Sequence, residues 1–222
     1  MSGRLLETVE VETGAQPTAS IVWLHGVGAD GHQFEPLIGP LTRAASAPLR
    51  FVLPHAPVRR ITLCNGEQMR GWYDLRNPDR QIGQDEAAIR ASDAAIGALL
   101  RRERARGIPF HRIVLGGFSQ GASMALYAGP RFPETLAAVV ALSGYRLIAS
   151  TLQAEWQEAN RKTPFFLGHG TADPVVSLKE SELARDLLRR AGYAVEWHAY
   201  PAGHEVPAEE IAAIADFLGK IL

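Results

Sequence analysis

A serine between two glycines is the residue of this sequence best placed to do chemistry. Ser119 lies in the segment GFSQG at residues 117–121, after an apolar run and before a helical pattern. Between a strand and a helix, the pattern G-x-S-x-G is typical of a nucleophile elbow, a sharp turn that admits only small neighbours and exposes the hydroxyl. The flanking elements favour this interpretation over a simple glycine-rich turn. The sequence therefore predicts Ser119 as a nucleophile.

A serine hydroxyl needs a general base, usually histidine, whose tautomer is fixed by a carboxylate. Asp173 and His204 each follow a predicted strand, and they stand in the chain order Ser, Asp, His that α/β-hydrolases use. We expect His204 to be the base and Asp173 to orient it. Taken alone, an aspartate before Pro174 is at least as typical of a turn. Glu205 is a weaker candidate acid, because a neighbouring residue rarely reaches back to the ring.

Two backbone N–H groups are expected to stabilise the oxyanion. Gln120 opens the helix after the serine, where N–H groups are unpaired and the helix dipole favours negative charge. The loop after the first core strand, residues 23–31, should supply the second donor; Val27 is the first choice and Gly28 the alternative. A merely flexible turn is the competing interpretation. Among the histidines, we expect His25 to shape this loop and the following residues to be structural: His32, His55, His111, His169 and His198.

The elements that must position these residues alternate between short apolar runs and longer helical patterns. Such alternation predicts an α/β fold, with a mostly parallel central sheet flanked by helices on both faces, in a single domain over residues 1–222. Strands are predicted at residues 21–25, 51–54, 112–116, 138–142, 165–170 and 195–200. Helices are predicted at residues 34–45, 85–106, 120–131, 152–160, 178–191 and 208–222. Residues 56–84 are expected to form an irregular loop that could wall a binding site.

Composition limits the partners and the compartment. The chain has 222 residues, 46% of them hydrophobic, and a formal net charge of −1, so charge gives no reason to expect nucleic acid or an anionic membrane. The arginines of residues 101–106 are expected to be a solvated helix end. Because Cys64 is the single cysteine, no intrachain disulfide can form. With no apolar run typical of a signal peptide or a membrane span, we expect a cytoplasmic protein without stable membrane insertion.

Several segments together resemble the carboxylesterase, phospholipase and acyl-protein thioesterase family of small α/β-hydrolases. They are HGVG at 25–28, MRGWYD at 69–74, GIP at 107–109, GGFSQG at 116–121, LSGY at 142–145, GHGTADPVV at 168–176 and GH at 203–204. The resemblance implies Ser119, Asp173 and His204 as the triad and Val27 and Gln120 as the oxyanion positions.

The same resemblance implies that Trp72, Leu75 and Val176 lie beside the acyl pocket, although Trp72 could equally be a core anchor. Residues 29–30 and 75–84 depart from the family pattern and leave the acyl-chain preference open.

The expected activity is hydrolysis of carboxylic esters or thioesters through an acyl-enzyme on Ser119, without a cofactor or metal. A lysophospholipase or an acyl-protein thioesterase is the alternative within the same chemistry. A non-catalytic, hydrolase-like binding module is the alternative of another class. The expected partner is a small ester or acyl substrate, with a homodimer left open.

Overall fold

A computed structural model describes residues 5–222, and its centre is a mostly parallel sheet. Within these residues the sheet has seven strands in the order β1-β3-β2-β6-β7-β8-β9; β1 pairs antiparallel to β3 and the other neighbours are parallel. The strands of the sheet are β1 (Thr8–Glu12), β2 (Ala19–Leu24), β3 (Leu49–Pro54), β6 (Ile113–Phe118), β7 (Ala138–Leu142), β8 (Phe165–Gly170) and β9 (Val195–Tyr200). Strands β4 (Val58–Ile61) and β5 (Glu67–Arg70) form a separate hairpin.

Helices cover both faces of the sheet, as predicted. They are α1 (Glu35–Leu41), α2 (Glu86–Ala105), α3 (Gln120–Ala128), α4 (Leu178–Arg190) and α5 (Ala208–Gly219). One apolar cluster joins the sheet to α2, α3 and α4, and a second joins it to α1 and α5. Successive side chains of β2 alternate between them: Val22 and Leu24 enter the first cluster, and Ile21 and Trp23 the second. The α/β fold class is thereby confirmed; the single domain over residues 1–222 stays a prediction.

Continuous burial explains why the central strands read as unbroken apolar runs. All six residues of β2, β3 and β8 and all five of β7 are buried, because helices cover both faces of each strand. The predicted strands lie within one or two residues of those observed. Strand β1 was not predicted, although its sequence TVEVE alternates in polarity as an edge strand with one buried face does.

The predicted helix at residues 152–160 is wrong. The structure has two short 3₁₀ turns there, Leu152–Glu155 and Glu158–Asn160, separated by extended residues. Tertiary contacts explain the break: Gln157 donates its N–H to the Pro130 carbonyl at 2.8 Å, and the Asn160 amide donates to the Phe132 carbonyl at 2.6 Å. The first bond takes a backbone N–H that a continuous helix would need, and the second ties the Asn160 side chain to another segment.

Two other predictions need correction. The helix expected at 34–45 is shorter, because α1 is bounded by 3₁₀ turns at Gly31–Phe34 and Thr42–Ala44. Residues 56–84 are not wholly irregular, since the β4–β5 hairpin occupies their first half.

A buried carboxyl group marks the start of α5. Glu210 is 1% exposed and packs so closely on β8 that a Cβ atom at Gly168 would overlap its Oε1 atom. Within the described part of the chain, this oxygen has no hydrogen-bond partner. Burial raises the pKa of Glu210 to about 8.

Candidate active site

The nucleophile elbow is a strained turn between β6 and α3. Ser119 has φ 55° and ψ −117°, a conformation that L-residues rarely adopt and that costs about 1–3 kcal/mol. Close packing holds the turn, since a Cβ atom at Gly121 would overlap the Leu24 carbonyl and one at Gly117 would press on the Gly121 backbone. Gly117 and Gly121 are therefore required by space, as the G-x-S-x-G pattern predicts.

Ser119, His204 and Asp173 form one hydrogen-bonded line. His204 Nε2 lies 2.9 Å from Ser119 Oγ, and His204 Nδ1 lies 2.6 Å from Asp173 Oδ2. The three residues follow β6, β9 and β8, at the carboxyl edge of the parallel sheet where sites of this class form. The structure therefore brings together the three side chains that the sequence predicts, and Asp173 rather than Glu205 bonds the ring.

Asp173 is held as a buried carboxylate. Its side chain is 0% exposed, and its Oδ1 atom accepts the N–H groups of Val175 at 2.8 Å and Val176 at 2.9 Å. Burial raises the pKa of this carboxyl, but the bonds from His204, Val176 and Val175 outweigh burial and hold the pKa below its ordinary value. Asp173 thus both stabilises the turn at Val175 and Val176 and bonds His204, so the two roles that the sequence allowed occur together.

The candidate oxyanion donors lie in two different elements. Gln120 opens α3, and Val27 lies in the loop after β2. Neither N–H group has a hydrogen-bond acceptor within residues 5–222, so both are free for a substrate oxygen. The alternative donor is occupied, because Gly28 donates its N–H to the Arg70 carbonyl at 2.8 Å. This contrast favours Val27 over Gly28.

Long-range bonds support the loop that carries Val27. His25 Nε2 accepts the N–H of Ala56 at 3.0 Å, so the ring proton is on Nδ1, which donates to the Gly26 carbonyl at 2.6 Å. Burial lowers the pKa of His25 and keeps the ring neutral. Gln33 Oε1 accepts the Gly26 N–H at 3.2 Å. The two bonds of the His25 ring support the role that the sequence predicts for it, which is to shape this loop.

Trp72 is a core anchor in this structure. Its side chain is 0% exposed, and its indole N–H donates to the His25 carbonyl at 2.9 Å. Its backbone N–H donates to the Gln120 side chain at 2.8 Å, and that side chain donates in turn to the Tyr73 carbonyl at 2.8 Å. Trp72 therefore joins the two sides of the candidate oxyanion hole. The sequence alone left open whether Trp72 is a core anchor or a residue of the acyl pocket.

The other two predicted pocket residues are also buried. Leu75 is 9% and Val176 is 2% exposed, and both belong to the apolar cluster that includes α2, α3 and α4. The Val176 backbone holds Asp173, as described above. Contact of Trp72, Leu75 or Val176 with an acyl chain stays a prediction.

A cavity that the sequence did not predict lies beside His204. It has a volume of about 290 Å³ and is lined by Gln33, Phe34, Leu37, Phe118, His204, Glu205 and Val206. Phe118 precedes Ser119 and Val206 lies two residues after His204, and this proximity in sequence could have indicated the cavity. A larger cavity of about 420 Å³ between α1 and α5 includes none of the three triad candidates.

The described residues hold neither a metal-ligating cluster nor a membrane-spanning helix. Residues 5–222 contain no group of three or more His, Cys, Asp or Glu side chains arranged to hold a metal ion. No helix in this part of the chain combines the length and apolar character needed to cross a bilayer.

A strained serine, bonded to a histidine and a buried aspartate at the carboxyl edge of this sheet, is the arrangement that serine hydrolases with the α/β-hydrolase fold share. Comparison with known proteins agrees. The model of the phospholipase/carboxylesterase family matches residues 6–222. An acyl-protein thioesterase 1 of Neurospora crassa is 41% identical over 218 residues, which cover 94% of this chain and 89% of that protein.

Solved structures show the same likeness. Arabidopsis thaliana SOBER1 has a TM-score of 0.85 at 29% identity, covering 91% of this chain and 98% of that one. Zea mays acyl-protein thioesterase 2 has a TM-score of 0.84 at 30% identity, and the match covers 96% of this chain and 98% of that one. The chain belongs to the phospholipase/carboxylesterase family, and it is a serine hydrolase of carboxylic ester or thioester bonds.

Proposed function

We propose that Ser119, His204 and Asp173 are the catalytic triad and that hydrolysis runs through an acyl-enzyme on Ser119. The observation that supports this most is the position of His204, whose ring lies 2.9 Å from the serine hydroxyl and 2.6 Å from the buried carboxylate. Because Nδ1–H donates to Asp173, Nε2 has a lone pair that can take the serine proton.

The proposed reaction has two steps. Ser119 Oγ bonds to the acyl carbon as its proton passes to His204 Nε2; the carbon–oxygen or carbon–sulfur bond then breaks, and the proton passes to the leaving atom. Water repeats the sequence on the acyl-enzyme and releases the acid and the free serine. The N–H groups of Val27 and Gln120 would bind the oxyanion in both steps, and such a donor is typically worth about 10²–10³ in turnover.

The proposed substrate is an ester or thioester with an apolar group near the scissile bond. The cavity beside His204 supports this, because Phe34, Leu37, Phe118 and Val206 line it and His204 must reach the leaving atom. The thioesterase relative from Neurospora crassa favours a thioester of an acylated protein as one candidate. Lysophospholipid hydrolysis remains the alternative with the same chemistry.

The remaining sequence predictions are part of the same proposal. We propose Trp72, Leu75 and Val176 as neighbours of the acyl group, and a cytoplasmic location that the single cysteine, Cys64, supports. The net charge of −1 supports a small substrate as the partner rather than nucleic acid. It also gives no support to stable insertion into a membrane. A homodimer stays open.

Hydrolysis of p-nitrophenyl esters from acetate to palmitate, with S-acyl peptides beside them, tests the proposal. Ser119→Ala should reduce kcat by about 10⁶ and abolish labelling by a fluorophosphonate probe, while the protein stays folded. Ser150→Ala, at an exposed serine, should change neither readout. Retained turnover in Ser119→Ala would overturn the triad, and inactivity of the wild type on every substrate would favour a binding module.

A further inference from the structure

Two apolar regions approach the triad from opposite faces of the sheet. The three predicted acyl-pocket residues belong to the cluster that joins the sheet to α2, α3 and α4. The cavity beside His204 lies on the other face, because Phe34 belongs to the cluster of α1 and α5, and Phe118 and Val206 pack against that cluster. A substrate bound at Ser119 can therefore extend in two directions.

The proposed chemistry assigns the cavity to the leaving group. His204 Nε2 takes the Ser119 proton and passes it to the leaving oxygen or sulfur, so that atom must come within hydrogen-bond distance of the ring. The His204 ring is itself a wall of the cavity, and its centroid lies 4.8 Å from that of the Phe118 ring. A group attached to the leaving atom therefore enters the cavity, and the acyl chain is left to the other face.

The cavity combines an apolar wall with an exposed acid. Phe34 is 5% exposed and stacks on Trp23, with ring centroids 3.8 Å apart, so this wall is fixed by the core. Glu205 also lines the cavity, and its side chain is exposed. Within residues 5–222 the Glu205 carboxylate forms no ion pair and no hydrogen bond, and the triad uses Asp173 in its place. Glu205 is thus free to act on a ligand.

The surroundings of the cavity do not offset this acid. Among the described residues, those that line the cavity include no lysine and no arginine. Their neighbours in sequence add Glu35 and His32, which bond each other at 2.7 Å. Beside an apolar wall, an acid attracts cations and repels anions more strongly than it does in open water. The charge that His204 gains during proton transfer is the same for every leaving group.

We infer that the cavity beside His204 is the leaving-group site, and that Glu205 selects leaving groups in which a short apolar part is followed by a cation. The inference rests on the proposed triad and acyl-enzyme. The cavity volume of about 290 Å³ equals that of about ten water molecules, which is room for a group such as thiocholine. Because the leaving group departs before water attacks, the selection acts on acylation and is measured by kcat/KM.

A matched series of butyryl thioesters tests the role of Glu205. The leaving groups are thiocholine, its uncharged tert-butyl analogue and its sulfonate analogue, and all three free thiols are measured with the same thiol reagent. The ratio of kcat/KM for the cation to that for the anion should fall by about three- to tenfold in Glu205→Gln, and the order should reverse in Glu205→Lys. The uncharged thioester is the internal reference, because a general effect on His204 changes all three rates alike.

Two controls separate charge from shape. Glu134→Gln, at an exposed position before β7 and so at the opposite edge of the sheet, should keep the wild-type ratio. Raising the salt concentration from about 0.01 M to about 1 M shortens the Debye length from about 30 Å to about 3 Å, and it should reduce the wild-type ratio towards that of Glu205→Gln.

A change of cavity volume tests which part of the substrate the cavity holds. Leu37→Trp fills the cavity, so kcat/KM should fall for the tert-butyl leaving group and change little for methanethiol esters of longer acyl chains. Leu37→Ala enlarges the cavity and should spare both series.

The outcomes separate this inference from the proposed function. An equal ratio of cation to anion in wild type and Glu205→Gln would overturn the selection by Glu205. A Leu37→Trp variant that loses long acyl chains and keeps the bulky leaving group would place the acyl chain in the cavity and overturn the assignment. Both results leave the triad standing while the fluorophosphonate probe labels Ser119. A wild-type protein that is neither labelled nor active on any thioester would overturn the proposed function, and the inference with it.

Discussion

The two halves of the site are held in different ways. On the triad half, Ser119, Asp173 and His204 follow β6, β8 and β9, so their positions come from strand ends at one edge of the sheet. On the oxyanion half, the loop after β2 is held by groups distant in sequence, including Trp72. The comparison teaches that the nucleophile, the base and the Gln120 donor depend on the ends of sheet strands, whereas the Val27 donor depends on a loop that residues 56–84 hold.

Of the substitutions that test this comparison, the one that removes charge on the triad half should have the largest effect. Asp173→Asn should keep the fold but reduce kcat by about 10⁴, because the amide no longer holds the His204 tautomer or stabilises its cation. Single-turnover rates with a p-nitrophenyl ester measure this loss. Asp186→Asn, at a half-exposed position on α4, is the matched control and should stay close to wild type. Equal losses of rate in the two variants would show that Asp173 has no special role in catalysis.

A smaller effect is expected on the oxyanion half. Trp72→Phe keeps an aromatic ring at this buried position but removes the indole N–H that donates to the His25 carbonyl, so kcat should fall by about tenfold with KM little changed.

Trp156→Phe is the control for this change, because the indole N–H of Trp156 has no hydrogen-bond partner within the described residues. Steady-state kinetics of both variants gives the difference. A Trp72→Phe enzyme with wild-type kcat would show that the loop keeps its shape without this bond, and the contrast between the two halves would weaken.

The smallest catalytic effect, with a clear effect on stability, is expected at Glu210 below the triad half. Its folded-state pKa of about 8 lies above its ordinary value of 4.5, so the folded protein binds more protons than the unfolded chain between these two pH values. The contribution of Glu210 to stability is therefore fully present below about pH 4.5 and is lost as pH rises through 8, with a slope of at most about 1.4 kcal/mol per pH unit.

Glu210→Gln should flatten that slope and leave kcat at neutral pH within about twofold. Urea unfolding from pH 5 to 9 measures the slope. Glu209→Gln, at the exposed neighbouring position, should retain the wild-type slope. A wild-type protein with no loss of stability over this range would show that Glu210 is ionised in the fold.

The triad candidates could be predicted because their signals are local. Ser119 has a glycine pattern that the turn requires, and chain order selects Asp173 and His204; their catalytic roles stay predictions until the variants are measured. The strands were predicted well because helices bury both of their faces. The edge strand β1 was missed although its alternation was visible in the sequence.

The remaining features depend on contacts between distant residues. The bond from the Gly26 N–H to the Gln33 side chain and the bond from the Gly28 N–H to the Arg70 carbonyl depend on folded geometry that no short pattern encodes. The wrong helix at residues 152–160 has the same cause: its composition permits a helix, but the bonds of Gln157 and Asn160 to other segments decide against it.

The bonds from residues 56–84 to the oxyanion loop suggest how relatives could diversify. Ala56 contributes its backbone N–H to His25, and Arg70 contributes its backbone carbonyl to Gly28. Every amino acid has the backbone carbonyl, so substitutions at the partly exposed Arg70 leave its bond to Gly28 intact, whereas Ala56 is fully buried and has no room for a larger side chain. Natural selection can thus alter the side chains above the site, and with them the choice of substrate, while the machinery for holding the oxyanion is inherited unchanged.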